Sequence, residues 1–180
     1  METEQELLSA IRSGDKSALR RLYCRYSGYA MAIGLRYIPQ SEEVRDVIQD
    51  SFVKILTSIE RFEYRGEGSL KSWVSRIVAN NAVNYLRQHE RFMFVSNIPD
   101  EADEEPPDIE KVSPEVLLEM IGRLPANYRT VLNLFVYEQY SHKEIAQQLG
   151  IKENTSFSHF HRAKKMLARM IKEYLSKQEI

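Results

Sequence analysis

Ser141 to Leu167 reads SHKEIAQQLGIKENTSFSHFHRAKKML, and its spacing predicts two short helices joined by a tight turn. Ser141 and Glu144 have the three-residue offset of a capping box, in which each side chain satisfies the other's free backbone N–H. Ile145, Ala146 and Leu149 fall on one helical face, and Gly150 suits the left-handed residue that follows a helix end. Asn154 or Thr155 is a candidate cap for the second helix. There Phe160, Ala163 and Leu167 form the buried stripe. Phe157, Ser158, His161, Arg162 and Lys165 lie on the other face, where they can reach base edges and phosphates in a major groove. Residues 150–172 carry six basic side chains against one acidic. That balance favours a DNA-binding helix-turn-helix over a helical hairpin with a solvated face.

The rest of the chain is consistent with a soluble globular protein. The whole chain has 180 residues, 43% hydrophobic and 28% charged, enough for one domain or two small ones. No apolar run has the length of a membrane span, and METEQE at the start does not resemble a leader, so no direct membrane insertion is expected. The single cysteine, Cys24, excludes an internal disulfide and implies a cytoplasmic protein; its apolar neighbours suggest a packed thiol. The net charge of −1 conceals a division along the chain. Residues 1–91 carry 14 basic and 12 acidic side chains, residues 92–112 one and seven, and residues 113–180 ten and seven. The acid is concentrated in one segment between two mildly basic ends.

Helical periodicity accounts for both ends. Thr3 and Glu6 form a capping box for a first helix that Gly14 stops, and Asp15 or Ser17 opens a second. That helix runs through Leu19, Leu22, Tyr23, Tyr26, Ala30, Ile33 and Tyr37 to Pro39, with Gly28 and Gly34 suited to close helix contact. Ser41 is the expected cap of a third helix, with a core stripe from Val44 to Ile59. Its outward face carries Arg45, Asp46, Gln49, Asp50 and Lys54, which periodicity alone leaves as a solvated face. Ser69 is the expected cap of a fourth helix. There Trp73, Arg76, Asn80, Asn84 and Arg87 make one stripe, suited to stacking, base edges and phosphates, although Trp73 also fits a core. From Phe92 to Val112 the periodicity disappears, and prolines and acids predict an extended linker. Ser113 and Pro114 then start a helix, Pro125 breaks it, and another follows to about Glu138. The expected fold is all-α: two small helical domains, 1–91 and 113–180, joined by the acidic linker 92–112.

In combination these stretches resemble a known family. Asp46, Gln49, Asp50 and Phe52 form a D-x-x-Q-D-x-F run, and Ser72 to Asn80 an S-W-x-x-R-I-x-x-N run. Leu124 to Arg129 gives L-P-x-x-Y-R, and Glu144 to Ile151 gives E-I-A-x-x-L-G-I. Their order and spacing resemble the bacterial sigma factors of the extracytoplasmic-function type, within the sigma-70 family. The resemblance implies a sigma factor that binds core RNA polymerase, directs promoter-specific transcription initiation and is not an enzyme. Residues 1–91 would be sigma region 2 and residues 113–180 sigma region 4.

The resemblance also implies residue roles. Asp46, Gln49, Asp50 and Lys54 would contact the clamp helices of core polymerase, which reverses the solvated reading of that face. Arg65, Lys71, Trp73, Arg76, Asn80, Asn84 and Arg87 would open the −10 element and hold an unstacked base. Ser141, Lys143, Thr155, Phe157, Ser158, His161, Arg162 and Lys165 would read the −35 element. The acidic linker would thread polymerase near the RNA exit path. Implied partners are core RNA polymerase, promoter DNA and an anti-sigma factor. The recognition helix departs from the family at Ser156, which thins the core beneath it, and at Phe157, which replaces a phosphate or guanine contact and suits a thymine methyl. His159 and His161 do not share a helix side, and no metal or cofactor is expected. The competing readings are a conventional helix-turn-helix regulator, predicting a palindromic site bound without polymerase; an enzyme, against which stand the lack of a glycine-rich phosphate loop, of a ligand cluster among the four histidines and one cysteine, and of a nucleophile motif; and an interaction protein that does not read DNA.

Overall fold

The computed structural model describes residues 2–89 and 107–178. They group into two compact units, Met1–Tyr85 and Leu86–Ile180. All regular structure among the described residues is helical.

The first unit contains α1 (Glu4–Arg12), α2 (Lys16–Tyr37), α3 (Ser41–Ser58) and most of α4 (Ser69–Gln88), whose last turn is counted with the second unit. The expected box at Thr3 and Glu6 is present, and Asp15 rather than Ser17 caps α2. Each helix turns one apolar stripe inward. Leu7, Leu22, Ile33, Ile55, Leu70, Val74 and Val78 are all fully or almost fully buried. Gly34 lets α2 approach α3 closely: a Cβ there would collide with the Val44 side chain and come within 3.1 Å of Ile48. Gly28 has no such neighbour, so the close-contact expectation holds at one glycine of the two.

Several local expectations are corrected. Helix α3 begins at Ser41 itself, with Gln40 in the cap position. Helix α4 begins at Ser69, and the Leu70 and Lys71 N–H groups of its first turn are satisfied from elsewhere in the unit, as described below. Tyr23 is half exposed, with its ring tilted 4.6 Å from Phe52. Cys24 is exposed rather than packed, because it falls on the outer side of α2 next to Tyr23.

The second unit contains α5 (Pro114–Gly122), α6 (Ala126–Val136), α7 (His142–Leu149) and α8 (Glu153–Ser176). Ile121, Leu124, Tyr128, Leu132 and Ala163 form its centre, flanked by Leu117, Phe160 and Leu167. Ser141 caps α7 in the expected box, and Gly150 ends it at φ +67°. Helix α8 begins two residues earlier than Thr155, with Lys152 in the cap position; neither Asn154 nor Thr155 is the cap. Arg129 explains why an arginine closes the L-P-x-x-Y-R run. It is buried, and its Nη1 donates to the Gly122 and Leu124 carbonyls at 2.9 and 2.8 Å, satisfying acceptors left free where α5 ends. Of the acidic segment 92–112, residues 92–106 lie outside the described residues. Its last part is not wholly extended: Ile109–Lys111 forms a 3-10 turn, and Val112 packs with Met120 and Ile171.

Candidate nucleic-acid and protein interfaces

The outward face of α3 is charged and partly apolar. Asp46, Gln49 and Asp50 are exposed, and Val53, 56% exposed, lies one turn further along the same face. Lys54 belongs to this face in sequence but is tied back. Its Nζ donates to Asn81 Oδ1, Asn81 Nδ2 donates to Ser51 Oγ at 2.9 Å, and Ser51 Oγ donates to the Val47 carbonyl at 2.6 Å. Asn81 is buried, so this chain satisfies its amide and fixes the register of α4 on α3.

Helix α4 presents Arg76, Asn84 and Arg87 at its surface, with Asn80 half-buried between them. Trp73 is also half-buried, its ring 5.0 Å from Phe62 and tilted by 42°. It is therefore packed on one side and open on the other, which combines the two readings the sequence left. Lys71 is exposed, with its Nζ 4.6 Å from the centre of the Tyr29 ring. Arg65 is exposed, and its guanidinium pairs with Glu63 at 3.3 Å; such a pair contributes little in water.

The loop before α4 is organised by a residue that sequence reasoning passed over. Glu4 is 2% exposed, and its carboxylate accepts from four donors. The Gly68 and Leu70 backbone N–H groups reach Oε2 at 2.9 and 3.0 Å; Lys71 N–H and the Tyr26 hydroxyl reach Oε1 at 3.0 and 2.9 Å. Glu4 thus performs the capping that Ser69 was expected to perform, while Ser69 Oγ accepts from Arg65 N–H at 3.2 Å. Burial and the hydrogen bond to Glu4 push the Tyr26 hydroxyl well above its ordinary pKa. In sequence Glu4 is an ordinary first-turn acid, and nothing local marks its partners.

In the helix-turn-helix, the candidate contacts fall into two groups. Lys143, Phe157, Ser158 and His161 are exposed, and Thr155, Arg162 and Lys165 are half-buried. Ser141 is committed to its box: Oγ accepts from Glu144 N–H at 3.3 Å and donates to its carboxylate at 2.7 Å. Ser158 Oγ donates to the Asn154 carbonyl at 2.9 Å, and Arg162 Nη1 lies 3.4 Å from the Tyr128 hydroxyl.

The unusual residues of this helix pack as a set around His142. Ser156 is fully buried, and its Oγ lies 2.9 Å from His142 Nδ1. The His142 ring stacks on Phe135 at 4.6 Å, and Phe157 lies 3.9 Å away on a tilted ring. Phe157 is consequently both a surface residue and a cover for the histidine. His159 is buried beside Tyr128, at 5.2 Å. Burial lowers the pKa of both histidines, assisted at His159 by the Arg162 charge. Among the described residues, no group of three or more His, Cys, Asp or Glu side chains could hold a metal ion.

Comparison with known proteins gives concordant matches for the two ends. Sigma-70 region 2 matches residues 22–92, and Sigma-70, region 4 matches residues 115–167. The ECF RNA polymerase sigma-E factor of Haemophilus influenzae is 31% identical over 183 residues, spanning 94% of this chain and 95% of that protein. The RNA polymerase sigma-H factor of Pseudomonas aeruginosa is 27% identical over 190 residues, spanning 97% and 96%. Among solved structures, the sigma factor RpoE of Bartonella quintana, crystallised with the anti-sigma factor NepR, is similar in fold. The TM-score is 0.51 at 18% identity, over 85% of this chain and 96% of that one.

Proposed function

This chain belongs to the sigma-70 family, as a sigma factor of the extracytoplasmic-function type, and we propose how its two units divide the work. It binds core RNA polymerase and directs promoter-specific transcription initiation, contributing no catalysis of its own. Residues 1–91 serve as region 2, residues 113–180 as region 4, and residues 92–112 as the tether between them. Asp46, Gln49 and Asp50 on α3 make the main contact with the polymerase clamp, with Lys54 at its edge. Arg65, Lys71, Trp73, Arg76, Asn80, Asn84 and Arg87 capture the −10 element as it opens. Lys143, Thr155, Phe157, Ser158, His161, Arg162 and Lys165 engage the −35 duplex, and Ser141 holds α7 in place for them.

The observation that carries this reading is the sequence of surfaces along the first unit. Exposed Asp46, Gln49, Asp50 and Val53 on α3 suit a protein partner, and a separate stripe of Arg, Asn and Trp on α4 suits nucleic acid. Small basic patches bind DNA weakly when alone, so affinity arises from two modules acting together on one polymerase. The protein works in the cytoplasm, where its polymerase is; no described helix is long and apolar enough to cross a membrane. An anti-sigma factor that occludes either surface is the regulatory partner this arrangement suits.

Run-off transcription with core polymerase on pooled genomic promoter fragments tests the reading. Discrete transcripts, dependent on the protein and sharing two spaced elements, are expected. Transcripts that share a downstream element but no upstream one would remove the −35 role from α8.

A further inference from the structure

The segment Phe62–Lys71 carries two of the proposed −10 contacts, Arg65 and Lys71, yet its own backbone holds it loosely. Gly66 and Gly68 both have positive φ, at +114° and +89°. Besides the bonds within α4, the segment's main chain is held by Phe62 N–H to Ile59 and Ser69 N–H to Gly66, both at 3.1 Å, and by Ser72 N–H to Gly68 at 3.0 Å. Glycines at such positions leave a free loop many conformations to lose. The segment is instead fastened from α1. Arg12 Nη2 donates to the Phe62 carbonyl at 2.7 Å, where the segment begins. Glu4 accepts from Gly68, Leu70 and Lys71 where it ends. The Tyr26 hydroxyl fills the remaining acceptor position, so the carboxylate is fully used and cannot rotate without breaking bonds.

We propose that Glu4 and Arg12 are positioning residues for promoter opening, fixing the Phe62–Lys71 loop at both ends so that Arg65 and Lys71 are presented in one geometry to the unstacking base. This rests on the −10 role given to the loop above. Neither residue touches DNA in this scheme. Their effect is to remove loop conformations before binding, so that the contacts are not offset by the cost of ordering the glycines. Because Asp46, Gln49 and Asp50 belong to α3, the polymerase contact is independent of the two fastenings.

The test uses full-length protein in reconstituted holoenzyme, with a fluorescent adenine analogue in the −10 element and polymerase affinity measured separately. Glu4→Ala is expected to slow opening at saturating holoenzyme by about tenfold or more. It is also expected to narrow discrimination among −10 bases while leaving polymerase affinity unchanged. Glu4→Gln is expected to fall between, because its amide oxygen still accepts from Gly68 and Leu70. Unchanged opening, or equal losses of opening and polymerase affinity, would overturn the proposal. If Glu4→Ala fails to fold, Glu4→Gln and Arg12→Ala are judged by the same split. Arg65→Ala and Lys71→Ala separate the two levels. If they slow opening and the Glu4 and Arg12 variants do not, the positioning role alone fails. If they have no effect, the −10 role of the loop fails and the positioning role falls with it.

Discussion

His142 Nδ1 lies 2.9 Å from Ser156 Oγ across the turn of the helix-turn-helix, with both side chains buried. A serine beneath a recognition helix looks like a thinned core in sequence. Here it is the hydrogen-bond partner of a histidine enclosed by Phe135, Phe157 and Phe160. Replacing Ser156 by valine fills the volume but strands a buried ring nitrogen, at a cost of about 1–3 kcal/mol. Urea unfolding of Ser156→Val, His142→Phe and the double variant should show the double less destabilised than the sum of the singles. Additive losses would mean the pair is not coupled.

Stability of the second unit should fall in mild acid. Burial holds both His142 and His159 below the ordinary value of 6.5, against a weaker opposing pull from Glu153 on His142. The folded state therefore keeps them neutral while the unfolded chain takes up protons as pH drops below 6.5. Their contribution is complete above that value and declines as pH falls from there toward the lower folded values. Urea midpoints at about pH 7.5 and about pH 5.5 should differ, and His159→Leu should reduce the difference. A midpoint independent of pH would contradict this account.

Charge reversal on α3 should separate polymerase binding from folding. Asp50→Lys is exposed and should weaken polymerase affinity by about tenfold or more with little change in unfolding. Lys54→Ala should show the converse emphasis. It breaks the bond to Asn81 and should destabilise the first unit by about 1 kcal/mol, with a smaller effect on polymerase. Pull-down titration and thermal melts on the same variants distinguish the two.

The two glycines of α2 should respond oppositely to alanine. Gly34→Ala drives a Cβ into Val44 and Ile48, and overpacking of this kind costs about 1–3 kcal/mol. At Gly28 the space is open, and alanine should stabilise the helix by up to about 1 kcal/mol. A pair of thermal melts decides it.

On the −35 side, Lys143→Ala should reduce the salt slope of holoenzyme binding by about 1 without altering base preference. Phe157→Ala should relax preference at one base pair and also destabilise the unit, because the same ring covers His142. Binding titrations at several salt concentrations, on sites randomised in the upstream element, read both effects.

What the sequence determined by itself is the part governed by short spacings. The boxes at Thr3 and Ser141, the turn at Gly150, the proline at 114 and the apolar stripes all act within about one helical turn, and they sufficed for an all-helical chain with a helix-turn-helix near its end. Exposure of Asp46, Gln49, Asp50, Arg76 and Arg87 followed from the same periodicity. Tertiary structure alone decided which polar groups those helices would share. Glu4 takes the start of α4 from 64 to 67 residues away, and Asn81 meets Ser51 across 30. Their partners come together only when the helices pack, and a buried polar group must then find whichever donor or acceptor the packing brings to it. For that reason an acid that looks like an ordinary first-turn residue, a serine that looks like a void and a lysine that looks free each acquired another role in the folded chain.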